Sequence, residues 1–403
     1  MPLSPRKPSS LRSRTPKRVA LIVETSNAYA RGLLQGIFGY VKEHAPWFFH
    51  RVEQGRGDDP PAWLSHWEGD GIIARIETPR VAEAVVSAGL PAVDVSAGRF
   101  VPHLPWVETD DRQIAILAAD HLRERGFKSF GYCGEDRFQW SRWRGEAFAA
   151  ALRASGLPCA EFSTPAETEI AAQIRGIASW LRTLPKPVGI LAGYDVKGLQ
   201  VLDACRVAGL HVPDEVAVLG VDNDELLCEL ASPALSSVIP DPRRAGYEAA
   251  ARLDRLMRGE RVHPLELRIP PVGIRRRQST DVLAIDDALI VKAVRYIREH
   301  ACDPILVDDV VRMAALSRRV FEARFRRCLG RTPHEEILRV RMERVKQLLA
   351  ETDLTVQGIA ERTGFPHEEY LSVAFKREVG VPPGVYRSGQ RAGSSPFAAG
   401  GSG

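Results

Sequence analysis

Cysteine is scarce in this chain: six in 403 residues, at positions 133, 159, 205, 228, 302 and 328, none in a C-x-x-C pair. Such scattering argues for reduced thiols and against a disulfide scaffold or a cysteine-based zinc module, so no metal is expected. Long apolar runs are missing as well. No stretch approaches the roughly eighteen uninterrupted apolar residues that span a bilayer. The basic start, rich in serine and proline, has no apolar run suited to a signal peptide. The expectation is a cytoplasmic protein with no membrane partner. Catalytic signatures are absent too: there is no Walker A loop, G-x-G-x-x-G fingerprint, nucleophile elbow or metal spacing. No catalytic residue and no cofactor are therefore assigned, and an enzyme is the least supported class.

What is present suffices for two or three domains. The net charge of +4 is mild, but its distribution is uneven. Seven arginines (312, 318, 319, 324, 326, 327 and 331) fall between Arg312 and Arg331 against one acid, Glu322. A local excess of that kind suits phosphate.

From Arg18 the pattern alternates strand and helix: VALIV at 19–23, an amphipathic stretch at 28–44, GIIARI at 71–76 and PAVDV at 91–95. A second series follows, with helix 112–125, SFGYC at 129–133, helix 141–155, VGILA at 188–192, helix 195–208 and EVAVLGV at 215–221. Alternation of this kind predicts parallel βαβ units, and two such series predict two α/β lobes with a cleft between them. The carboxyl ends of parallel strands border that cleft.

The last hundred residues read differently. Thr355 can cap a short helix, Gly364 supplies a turn, and a second helix from about His367 buries Leu371, Ala374 and Phe375. Fifty residues earlier the same punctuation occurs: Phe325, Arg326, Gly330 and Pro333 match Phe375, Lys376, Gly380 and Pro383. Between the copies an amphipathic helix is predicted over 332–349. Ser317 can cap the second helix of the first copy, with Phe321 and Phe325 inward. The pattern GF-x(5)-L-x(3)-FK-x(3)-G-x(2)-P-x(2)-YR, from Gly364 to Arg387, resembles the signature of the AraC/XylS family of bacterial transcription activators. That resemblance implies two recognition helices entering successive major grooves of promoter DNA, with RNA polymerase as a further partner.

The earlier region resembles the sugar-binding domains of periplasmic binding proteins and LacI/GalR repressors. The resemblance rests on Asp70-Gly71-Ile72-Ile73, on Arg144-x-x-Ala147-Phe148-x-x-Ala151-Leu152, and on Gly209-x-x-Val212-Pro213-x-x-Val216-x-Val218-x-Gly220-x-Asp222. A LacI-like sensor followed by an AraC-like reader is the arrangement of xylose-operon activators, which implies a homodimer answering to a pentose, D-xylose. A transport-type sugar-binding protein is the rival from another class, and a different sugar the nearest alternative.

The expected fold is thus an α/β two-lobed periplasmic-binding-protein-like sensor followed by an all-α double helix-turn-helix domain. The expected boundaries are a disordered basic tail at 1–16, the sensor at 17–275, a linker at 276–290, the reader at 291–388 and a second disordered tail at 389–403. A sugar pocket needs carboxylates and amides for paired hydroxyls, a guanidinium and an aromatic face. Asn27, Tyr29, Arg144, Asp195, Asp222 and Asn223 sit where strands end or helices begin. The resemblance places Asn27, Tyr29, Arg144 and Asp222 on ligand-contacting positions. Asp195 is read equally as a helix cap, Asp110 as structural, and Trp140 and Trp143 as core residues before stacking platforms. Outward on the recognition helices stand Arg318, Arg319, Glu322 and Arg326 in the first copy, and His367, Glu368, Glu369, Ser372, Lys376 and Arg377 in the second.

Overall fold

The computed structural model describes residues 16–44, 46–51, 55, 58–164, 169–281 and 287–391. The expected tails therefore lie outside the described residues, apart from residue 16 and residues 389–391. The chain divides into two units, Met1–Val282 and Leu283–Gly403.

The first unit is built on twelve strands among the described residues: β1 (Lys17–Ile22), β2 (Trp47–His50), β3 (Gly71–Ala74), β4 (Ala92–Asp94), β5 (Trp106–Thr109), β6 (Ser129–Glu135), β7 (Cys159–Thr164), β8 (Val188–Ala192), β9 (Val216–Val221), β10 (Ser236–Ile239), β11 (Glu266–Ile269) and β12 (Gly273–Arg275). Its α-helices are α1 (Ala28–Glu43), α2 (Pro79–Ser87), α3 (Asp111–Arg123), α4 (Gln139–Arg153), α5 (Ile170–Thr183), α6 (Asp195–Ala208), α7 (Glu225–Leu230) and α8 (Pro242–Met257). The strands form two six-stranded sheets, ordered β11-β5-β4-β3-β1-β2 and β12-β10-β9-β8-β6-β7. Every pairing is parallel except that of β10 with the edge strand β12. Parallel strands covered on both faces must be apolar along their whole length. β3, β8 and β9 meet that demand, with every residue buried.

The chain passes between the lobes at β5–α3, β10–α8 and β11–β12. α8 thereby returns to the first lobe and lies against α1. Their crossing depends on glycine: a Cβ at Gly36 would stand 1.9 Å from the Arg243 carbonyl oxygen, and one at Gly246 2.0 Å from that of Leu33. Short polar side chains start the first three helices, α1, α2 and α3. Asn27 accepts from the Ala30 amide, Thr78 from Val81 and Asp110 from Arg112 and Gln113.

The expected linker at 276–290 is revised by the packing of its first half. Ser279 and Thr280 are fully buried. Ser279 Oγ donates to the Val218 carbonyl at 2.6 Å and accepts from the Ser236 amide at 2.8 Å. The Thr280 hydroxyl bonds Ser236 Oγ at 2.7 Å and His121 Nε2 at 3.0 Å. Residues 276–281 therefore belong to the second lobe, because their polar groups are paired inside it. Residues 282–286 of the expected linker lie outside the described residues.

The second unit contains α9 (Ala288–His300), α10 (Val307–Ala314), α11 (Arg318–Leu329), α12 (Pro333–Glu351), α13 (Val356–Arg362), α14 (Glu368–Val379) and α15 (Pro383–Arg391). α10–α11 and α13–α14 are the two helix-turn-helix copies. Ile337 on α12 packs with Phe321 and Phe325, whereas Met342, Val345 and Leu349 pack with Leu371 and Phe375, so one helix serves two small cores. α11 and α14 both end on a left-handed glycine, Gly330 (φ 72°) and Gly380 (φ 84°), and a proline opens the helix after each. Thr355 caps α13 by accepting from the Gly358 amide at 3.0 Å. Ser317 occupies the matching position before α11 but makes no side-chain cap bond. Residues 389–391, read as tail, continue α15.

Candidate functional site

Between the two sheets of the first unit the strand ends enclose a cleft of about 420 Å³ counted to its open mouth, lined by Asn27, Tyr29, Arg75, Val95, Ser96, Ala97, Glu108, Thr109, Trp140, Arg144 and Asp222. Of the six residues expected at a ligand, four meet here. Each arrives for a local reason. Asn27 is held by capping α1 through Oδ1 while its Nδ2 donates to Glu24 Oε1 at 2.9 Å. Tyr29, two residues on, accepts from Thr109 Oγ1 at 3.4 Å. Burial and the Glu108 carboxylate push its phenol up to about 12, so it stays a neutral donor. Arg144 is buried on α4, where Nε and Nη2 donate to Asp111 Oδ1 at 2.9 and 2.5 Å and Nη1 donates to the Gly193 carbonyl.

Asp222 enters the pocket through its backbone. It and Asn223 both take left-handed conformations, φ 111° and 49°, so the chain turns sharply off β9. Asp and Asn tolerate that region better than most residues.

Asp195 and Asn223 do not line the cleft; they build the turn that aims Asp222. Asp195 Oδ1 accepts from Ser237 Oγ at 2.6 Å and Oδ2 from the Asp224 amide at 2.7 Å. The expected capping role is not taken up either, since Asp195 lies inside α6 and Tyr194 precedes it without a side-chain cap. Gly220 makes room for it: a Cβ there would stand 2.2 Å from Asp195 Oδ1. Burial and neighbouring Asp222 push Asp195 up to about 8. Asn223 accepts from Arg277 Nη1 at 2.9 Å. Asp110 caps α3, as read.

Arg75 was missed because it follows GIIA without a break and reads as strand interior. It ends β3 on the cleft side, donating to Glu24 Oε1 and, at 2.7 Å, to Glu77 Oε1. Its Nε is buried and has no partner among the described residues, which leaves one donor for a ligand oxygen. Burial opposes the Arg75 charge, but Glu77 and Glu24 outweigh it and hold the guanidinium charged. For Arg144 burial is likewise outweighed, by Asp111 and Asp222. The guanidinium carbons of Arg75 and Arg144 lie 5.3 and 5.0 Å from the ring centroids of Tyr29 and Trp140. Two fixed cations, several carboxylates and two aromatic rings around a small space match the needs of a polyhydroxylated ring.

On the second unit the outward faces of α11 and α14 carry the expected polar residues: Arg319, Arg326, His367, Glu368, Glu369, Lys376 and Arg377 are exposed, and Glu322 and Ser372 half-buried. Arg318 is exposed but tied, donating to Asp308 Oδ1 at 2.9 Å and Glu322 Oε1 at 2.8 Å. The arginine excess is smaller than its count suggested. Arg324 pairs with Asp287, Arg331 with buried Glu336 and Arg312 with Asp309, which leaves fewer charges for a polyanion. Tyr370 and Val373, 51% and 70% exposed, stand on the same face of α14. Neither is polar, so an outward stripe of polar residues does not include them.

The Periplasmic binding protein-like domain model matches residues 119–280, and the Helix-turn-helix domain model residues 310–389. The Xylose operon regulatory protein of Haemophilus influenzae is 31% identical over 382 residues, covering 92% of this chain and 98% of that one. The chain belongs to the xylose operon regulatory protein family. The Escherichia coli K12 member is 32% identical over 383 residues, with 92% and 96% covered. A solved structure, that of the xylose-binding transcription activator xylR, superposes with a TM-score of 0.77 at 29% identity, covering 93% of this chain and 98% of that one. A cellobiose complex of the transcriptional regulator CelR, at 22% identity and TM-score 0.55, shares the fold of the first unit. A member of the xylose operon regulatory protein family is a sugar-responsive, DNA-binding transcription regulator, and both halves of that description have a matching unit here. No helix among the described residues is long and apolar enough to cross a membrane.

Proposed function

We propose that D-xylose is the effector, bound in the cleft between the sheets of the first unit, and that it turns on transcription of pentose catabolic genes. The observation that carries this reading is the cluster of Arg75, Arg144 and Asp222 beside Trp140 and Tyr29 in one cleft. In it Asp222 accepts two hydroxyls, the free Arg75 Nε–H and Asn27 meet oxygens of the ring, and Trp140 covers an apolar ring face. Family membership supports the choice of a pentose. On the second unit Arg319, Glu322, His367, Glu368, Glu369 and Ser372 face base edges, while Arg318, Arg326, Lys376 and Arg377 meet phosphates. Tyr370 and Val373 add apolar contact suited to thymine methyls. A second copy of the chain and RNA polymerase complete the set of partners, both supported by the AraC/XylS resemblance. Calorimetric titration with D-xylose, L-arabinose, D-ribose, D-glucose and D-galactose tests the assignment. D-xylose binds tightest; any other sugar of the panel binding more tightly overturns it.

A further inference from the structure

Beside the sugar cleft lies a second chamber, larger than the first at about 1040 Å³ counted to its mouth. Glu108 and Thr109 line both spaces, so they meet along the end of β5. To these shared groups the chamber adds two indoles, Trp106 and Trp143, and the charged pair Glu266 and Arg268. Aromatic faces flanked by paired donors and acceptors are again what a sugar ring needs.

Arg99 occupies the slot between those indoles. Its guanidinium carbon is 3.2 Å from the Trp106 ring centroid and 5.2 Å from that of Trp143, and Nη2 donates to Glu108 Oε2 at 2.7 Å. The arrangement has a local cost. Arg99 is a non-glycine residue held at φ 53°, and partial burial draws its pKa below the ordinary guanidinium value despite Glu108 beside it. We propose that Arg99 limits the ligand to one sugar ring, by filling the slot into which a second ring, linked to the first, would extend past Glu108. The proposal rests on the reading of the neighbouring cleft as the sugar site. If Arg99 were only surface packing on Trp106, its removal would leave ligand length unchanged.

Titrating the full chain with D-xylose and with xylobiose, its β-1,4-linked dimer, separates the two cases. Arg99→Gly suits the left-handed backbone, and Arg99→Asn is a second variant that tolerates it. The readout is the ratio of the xylobiose to the D-xylose association constant, which is insensitive to any general loss of affinity. The wild-type chain binds D-xylose and rejects the dimer, and both variants raise the ratio by about tenfold or more. An unchanged ratio in both variants, or a wild-type chain that takes xylobiose as tightly as D-xylose, overturns the proposal. Loss of both sugars in both variants also overturns it, because Arg99 would then belong to the monosaccharide site itself. A wild-type chain that binds no D-xylose but does bind another sugar of the panel refutes the effector assignment instead, and that sugar with its own dimer then gives the ratio that decides on Arg99.

Discussion

Replacing Asp222 by asparagine removes one charge from the pocket and nearly preserves its shape. Asparagine, like aspartate, accepts the left-handed backbone, φ 111°, so the turn off β9 is kept. A carboxylate that accepts two sugar hydroxyls makes charge-assisted bonds of about 1.5–3 kcal/mol each, where neutral acceptors give about 0.5–1.5. The difference is roughly 1–1.5 kcal/mol per bond, and the asparagine NH2 cannot accept, so the second hydroxyl must reverse its bond; the loss is at least about 2–3 kcal/mol, or about 30-fold or more in affinity. Asp222 also supports the charge of Arg75 and Arg144 and contributes to the raised pKa of Asp195. With Asp222 neutral, Asp195 moves back toward the ordinary carboxylate range, which stabilises its ionised form and keeps the Ser237 and Asp224 bonds. The variant should therefore remain folded. Calorimetry with D-xylose on both proteins, with a thermal melt as control, reads the effect. A dissociation constant within about twofold of wild type would refute the role given to Asp222.

Glu368 opens α14 on its exposed face, so Glu368→Ala should shift base preference at one operator position by about 1–3 kcal/mol while general affinity changes little; uniform weakening across a randomised operator library would rule out a reading role. Asp94 is buried at the end of β4 and pushed up to about 7 by that burial, against hydrogen bonds from Ser96 and Ile76. Its folded pKa exceeds the unfolded value of 3.8, so the stabilisation from its proton is complete below about pH 4 and disappears as pH rises through 7. Asp94→Asn should flatten the decline of unfolding free energy between those limits by an amount on the order of a few kcal/mol, and identical slopes in denaturant titrations would contradict it.

Much of the fold could be read because parallel strands must be apolar throughout and helices start at short polar caps. VGILA and EVAVLGV became β8 and β9 within a residue, and the repeated glycine and proline of the reader fell where the structure places its helix ends. β2, β5, β7, β10, β11 and β12 are not among the apolar runs: four of them are sheet edges, and the interior strands β5 (WVET) and β10 (SSVI) are four residues long and half polar. In the pocket, residues after a clear strand end were found, as with Asn27 and Asp222. Arg75 and Glu108 were not, because each is continuous with its strand and only the three-dimensional end of the sheet exposes them. Asp195 illustrates the converse: its place after a strand was read correctly, but whether a carboxylate faces a ligand or a turn depends on Ser237, some forty residues away. The arginine run shows the same limit. Sequence counts charges, whereas the pairing of Arg324 with Asp287 and Arg331 with Glu336 is tertiary.

The most direct test of a sugar-responsive regulator is reciprocal linkage, in which the affinity of the full chain for D-xylose is measured with and without promoter DNA and its affinity for that DNA with and without D-xylose, at one salt concentration. A regulator switched by its sugar tightens both by the same factor, roughly 5–150, corresponding to about 1–3 kcal/mol of coupling. Two affinities that ignore each other would contradict it.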